Sequence, residues 1–133
     1  SAVEVINARI PSTTDAASLC KMAERGQLTG ALFDGPLAMD NAISSAAAQM
    51  KGIQSQVAGD ADILLVPDLE SGNILAKQLS FMANADAAGL VLGARVPIIL
   101  TSRADSVRAR ITSCALAVVL ADFQLRQAPT SAP

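Results

Sequence analysis

Short apolar runs alternate along this chain with polar stretches marked by glycine and proline. Ile63–Val66 is an unbroken apolar run that predicts a buried strand, and Pro67 ends it because proline has no N–H to give a sheet ladder. Leu28–Phe33, Ala87–Leu92 and Pro97–Leu100 predict further strands, with Gly93–Val96 as a turn between the last two. Between these runs the spacing becomes helical. Pro11 breaks the opening segment, and Ser12, Thr13 or Thr14 caps a helix that continues to about Arg25, with Gly26 as its stop. Asp40 or Asn41 caps a helix over Ala42–Met50. Ile74, Leu75, Leu79 and Met82 form an apolar stripe on a helix from Glu70 to about Asn84. A last helix runs from near Ser106 to Gln127, and its apolar stretch Cys114–Ala121 reads as buried. Residues 128–133 read as a flexible tail.

Strands that alternate with helices predict an α/β fold, a three-layer α/β/α sandwich on a mostly parallel sheet. Three polar loops each follow a strand and precede a helix: Asp34–Asn41, Asp68–Asn73 and Thr101–Ser106. Loops of that kind lie beyond the strand ends, where helix N–H groups meet anionic ligands.

Composition narrows the chemistry. The 133 residues are 51% hydrophobic, so a packed aliphatic core is expected. There is no histidine, which excludes Ser-His-Asp and Cys-His catalysis and any histidine-based zinc site within this chain. A net charge of −2 and only three aromatic residues, all Phe, offer neither a basic footprint nor a stacking platform, so nucleic acid is not an expected partner. Cys20 and Cys114 lie far apart in helical patterns and read as structural thiols, which makes the cytoplasm the default compartment. The apolar runs are too short for a membrane span. The chain opens without methionine on SAVEVIN, which suggests a piece of a longer protein.

The Thr101–Ser106 loop carries the best candidates. Arg103 beside Ser102, after a strand and before a helix, suits a phosphoryl group, because the guanidinium fork pairs two oxygens at once. Ser102 can donate to the same group or to an oxyanion. The plainer alternative is that Ser106 caps the helix and Arg103 is a solvated charge. Asn73 and Lys77 share a helical face at i and i+4, which suits a ligand, although an ordinary exposed face with a capping contact is the commoner meaning of such spacing. Asp68 and Glu70 are placed for acid–base work, for a metal, or simply to complement a helix dipole.

The blocks GPLAMDNAIS (Gly35–Ser44), ADILLVPDLESGNILAK (Ala61–Lys77), AGLVLGARVPIILTSRADS (Ala88–Ser106) and SCALAV (Ser113–Val118) resemble the phosphate acetyl/butyryl transferase family, in wording closer to its butyryltransferase-like branch. The resemblance covers Ser1–Phe123. It implies a fold like that of isocitrate and isopropylmalate dehydrogenases, with residues 1–127 as the C-terminal part: most of the second domain plus the last strand and helix of the first. It implies a homodimer and a reaction in which acyl-CoA and phosphate give acyl phosphate and CoA, by direct attack in a ternary complex. Coenzyme A and phosphate are substrates there, and neither a metal nor another cofactor takes part in the transfer.

The same resemblance gives Ser102 the oxyanion or leaving group, Arg103 the phosphoryl oxygens, and Gly72 and Asn73 a place facing the substrate cleft. Asp68 and Lys77 join them as substrate-binding candidates. One departure stands out. The acetyltransferases carry an aspartate seven residues after the serine, proposed as base for the CoA thiol, and that position here is Ala109. Asp105 is the nearby substitute. Ala109 also keeps open an acyl-CoA-binding domain without turnover, and a dimerisation module that has lost half the cleft is a third reading. These residues alone are expected to be inactive.

Overall fold

A computed structural model describes residues 1–127; the expected tail at 128–133 lies outside them. Five helices follow one another: α1 (Pro11–Glu24), α2 (Met39–Ile43), α3 (Ser45–Met50), α4 (Leu69–Met82) and α5 (Val107–Gln127). The chain divides into two compact units, Ser1–Asn73 and Ile74–Pro133.

In the first unit, α1 starts on Pro11 rather than after it. Its fixed φ suits the first helical position, where an N–H has no partner in any case. None of the three expected hydroxyls caps the helix. Thr13 is instead fully buried, its Oγ1 accepting the Asn7 N–H at 2.9 Å and lying 2.8 Å from the Ile10 carbonyl oxygen. Gly26 does end α1: with φ of 72° it lets the Gly26 and Gln27 N–H groups turn back to the Ala23 and Met22 carbonyls, both at 2.9 Å.

The single helix expected over Ala42–Met50 is two. Ser44 is extended (φ −126°, ψ 112°), closing α2 and opening α3, where its Oγ accepts the Ala47 N–H at 3.3 Å. The break frees the Ala42 carbonyl, which accepts the N–H groups of Gly59 and Ala61, both at 3.2 Å. Asp40 and Asn41 sit inside α2 and not at its cap.

The expected strands do not form a ladder. Among the described residues the one β pairing is an isolated antiparallel bridge in the second unit, Val91 with Ile98, in which the Val91 N–H donates to the Ile98 carbonyl at 2.9 Å. Leu28–Phe33 turns at Gly30, whose φ of 90° leaves the strand region. Ile63–Val66 has no ladder partner among the described residues, and Ile63 and Leu65 remain 80% and 73% exposed. A parallel strand is held by neighbours distant in sequence, so an apolar run does not by itself make a sheet.

Packing is correspondingly open. Among the described residues the buried apolar side chains are Pro36, Ala38, Ala42 and Ala48 in the first unit and Ala117 in the second, not the branched aliphatic core that composition suggests. The apolar stretch of α5 is largely exposed, Cys114 included, although Ser113 and Ala117 are buried. Leu90, Leu92, Leu116, Val119, Leu120 and Phe123 line an open apolar cavity of about 490 Å³ in the second unit. Among the described residues no helix is long and apolar enough to cross a membrane.

Candidate functional site

In the second unit the Thr101–Ser106 loop is organised around Ser102. The Ser102 N–H donates to Asp105 Oδ2 at 2.6 Å, and the Asp105 N–H returns to the Ser102 carbonyl at 3.1 Å. Ser106 then caps α5, its Oγ accepting the Ala109 N–H at 3.1 Å. The plainer alternative therefore holds for the cap, and an exposed Arg103 is compatible with its other half, while neither Ser102 nor Arg103 is used by the cap.

Ser102 Oγ is an acceptor in two contacts, from Lys77 Nζ at 3.5 Å and from the Ala104 N–H at 3.4 Å. An ammonium and a backbone amide only donate, so the Ser102 hydroxyl keeps its own proton for a ligand. Lys77 also lies over the Phe81 ring, 5.6 Å from its centre. Arg103 is exposed, and among the described residues no carboxylate forms a salt bridge with its guanidinium. Arg110, which the sequence reading did not single out as a site residue, reaches back to the Arg103 carbonyl with Nη2 at 3.4 Å. Arg103 lies in the loop and Arg110 on α5, so no local spacing signalled the contact.

Behind this loop stands Ser113, buried on α5. Its Oγ accepts the Gly89 N–H at 3.0 Å and lies 2.8 Å from the Ala109 carbonyl oxygen as donor. Gly89 in turn sits close to the segment that leads into the loop: a Cβ there would lie 3.0 Å from the Leu100 carbonyl. Ser113 thus ties α5 to the segment beside the loop.

The PDLESGN block is largely spent on starting α4. Asp68 Oδ1 accepts the Ser71 N–H at 2.7 Å, a helix cap, and that backbone bond holds its carboxyl below the usual range. Gly72, expected in a loop, lies within α4, where a Cβ would come 2.9 Å from Val66 Cγ2. Its smallness lets the helix pack on the segment before it. Asn73 is exposed on α4.

The first unit holds a charge cluster that local spacing did not reveal. Lys51 Nζ lies 3.2 Å from Glu4 Oε2 and 3.0 Å from Asp40 Oδ2. Asn41, fully buried, donates its Nδ2 to Glu4 Oε2 at 3.3 Å. The Lys51 side chain holds the Asp40 carboxyl below the usual range. It also helps depress Glu4, where the residue's own backbone N–H acts first; Lys51 is raised, mainly by Asp40. Among the described residues, no group of three or more His, Cys, Asp or Glu side chains is arranged to hold a metal ion.

Comparison with known proteins gives the family of the chain. A family model described as "Phosphate acetyl/butaryl transferase" matches residues 1–118. A phosphate acetyltransferase from Rhizobium meliloti is 69% identical over 121 residues, which is 91% of this chain and 38% of that protein. A phosphate butyryltransferase from Clostridium acetobutylicum is 49% identical over 120 residues, 90% of this chain and 40% of that protein. The crystal structure of a branched-chain phosphotransacylase from Enterococcus faecalis V583 superposes with a TM-score of 0.76 at 36% identity, covering 89% of this chain and 42% of that one. That likeness is consistent with an α/β fold. The chain thus spans about two fifths of the length of the curated relatives it matches. With the family model matched over residues 1–118 and these identities, the chain belongs to the phosphate acetyl/butyryl transferase family.

Proposed function

We propose that this chain supplies part of the active site of a phosphate acyltransferase, in which acyl-CoA and phosphate exchange to give acyl phosphate and CoA. A phosphate oxygen attacks the thioester carbonyl, the tetrahedral oxyanion collapses, the C–S bond breaks, and the thiolate leaves; the reverse reaction is direct thiolate attack on the acyl phosphate. The observation that carries this reading is Ser102, whose Oγ accepts from Lys77 and Ala104 and so keeps its proton to donate. In this account that proton goes to the oxyanion or leaving group, while Arg103 holds the phosphoryl oxygens. Lys77 adds positive charge to the same site. Gly72 and Asn73 face the substrate by resemblance to the family, and Asp68 contributes by fixing the start of α4.

The wider arrangement belongs to the same proposal. Residues 1–127 form the C-terminal part of the enzyme, a second domain with the last strand and helix of the first. The extended segments join a mostly parallel sheet in a three-layer sandwich like that of isocitrate and isopropylmalate dehydrogenases. The enzyme works as a cytoplasmic homodimer on acyl-CoA and phosphate, with no metal or further cofactor in the transfer. Ala109, standing where the acetyltransferases carry an aspartate, favours one second reading: a domain that binds acyl-CoA without turnover.

Variants separate the roles in a protein of the relatives' full length carrying this sequence. Arg103→Ala removes a charge-assisted hydrogen bond, about 1.5–3 kcal/mol, and lowers kcat/KM for phosphate roughly 10–200-fold. Unchanged kinetics would remove Arg103 from the site. Ser102→Ala lowers kcat, and an effect confined to phosphate affinity would contradict the oxyanion role.

A further inference from the structure

We propose that Asp105 is a positioning residue for Ser102 and not the base that deprotonates the CoA thiol; this rests on the transferase reading of the Thr101–Ser106 loop. One oxygen of the carboxylate is already engaged. Its Oδ2 accepts the Ser102 N–H at 2.6 Å, a short charge-assisted bond between half-buried residues. The Asp105 N–H donates to the Ser102 carbonyl at 3.1 Å, so the two residues clasp each other in both directions. The Ala104 N–H lies 3.4 Å from Ser102 Oγ, and Ser106 starts α5 immediately afterwards. The loop is therefore closed on Ser102 and continuous with the start of α5.

A base in this position would undo its own work. Taking a proton cancels the negative charge that strengthens the bond to the Ser102 N–H, so the loop would loosen in the step that needs the Ser102 hydroxyl in place. The reaction also asks less of a base than attack by a hydroxyl does, because a free thiol has an ordinary pKa near 8.5 and a thiolate is available close to neutrality. Ala109 supplies no carboxylate in its stead, and Asp105 need not replace one.

Asparagine separates the two roles: its amide oxygen accepts the Ser102 N–H, yet it has no basicity. In a protein of the relatives' full length carrying this sequence, Asp105→Ala lowers kcat for phosphate-dependent release of thiol from acetyl-CoA or butyryl-CoA by about 10–100-fold, the scale of a small misplacement of a reacting group. Asp105→Asn recovers at least tenfold of that loss, with KM for the acyl-CoA little changed in both variants. Equal loss of kcat in the two variants overturns the proposal. Hydrogen exchange at the Ser102 backbone amide gives a reading that does not need turnover. Protection in the wild type and in Asp105→Asn, with exchange at least tenfold faster in Asp105→Ala, supports the clasp; equal protection in Asp105→Ala overturns it. A wild-type protein without turnover would overturn the transferase reading, and the amide measurement would still decide whether Asp105 holds Ser102.

Discussion

Lys51 shows how much a single residue can do without leaving a trace in local spacing. Glu4 and Asp40 lie 47 and 11 positions from it in sequence, and no helical or strand period links the three. Their ionisation fixes the sign of the pH dependence. Glu4 and Asp40 have folded-state pKa values below the ordinary ones, so their contribution is complete above the normal carboxylate range and is lost as pH falls through the depressed values. Lys51 is raised, so its contribution is complete below the ordinary lysine value and is lost as pH rises through the raised one. Lys51→Met therefore destabilises the protein at neutral pH, and the difference from wild type shrinks between neutral pH and acid below the depressed carboxylate values. Urea unfolding at the two pH values measures this; a difference that stays constant or grows in acid would remove the cluster from the account. The place of Ser102 and Arg103 in a loop just before a helix was, by contrast, legible, because the capping Ser106 is a local signal. Ser113 was not, since its two hydrogen bonds reveal themselves only when α5 and Gly89 are seen together.

At the scale of elements, helix ends were read well where a residue enforces them. Gly26 stops α1 and Ser106 starts α5, as their chemistry dictates. The reading failed where an ordinary residue is held in an unusual place by a distant neighbour. Ser44 splits one expected helix into α2 and α3, and what holds the break lies fifteen residues on, at Gly59. That glycine has φ of 93°, and a Cβ on it would lie 2.6 Å from Ser45 Cα. Left-handed strain of roughly 1–3 kcal/mol and a backbone overlap act in the same direction there. Gly59→Ala is expected to destabilise the protein by at least about 2 kcal/mol in urea unfolding. A loss below about 0.5 kcal/mol, the usual size of a neutral surface change, would show that the loop does not lock the break. The strands failed for a related reason. Composition signals an apolar run, but a ladder is made by partners, and the described residues bring one pair together, at Val91 and Ile98.

For the whole molecule, the informative contrast is between a strongly apolar sequence and a sparsely buried one. Leu92 and Leu100 are each 74% exposed, and among the described residues the buried apolar side chains are Pro36 and four alanines. A chain spanning about two fifths of its relatives' length carries segments whose ladder and packing partners need not lie within it, and that is why the α/β class was readable while the sandwich was not visible in the residues described. The family was legible for the opposite reason: its motifs are contiguous, and the PDLESGN and LTSRADS blocks survive in any fragment that contains them. The central claim is the acyl exchange itself. It is tested most directly by mixing acetyl-CoA or butyryl-CoA with phosphate and a protein of the relatives' full length that carries this sequence, following free thiol and trapping acyl phosphate with hydroxylamine. Thiol release that requires phosphate, with a matching yield of trapped acyl group, is the predicted result. Tight binding of the CoA ester with no phosphate-dependent release would contradict it and make this a domain that senses acyl-CoA without transforming it.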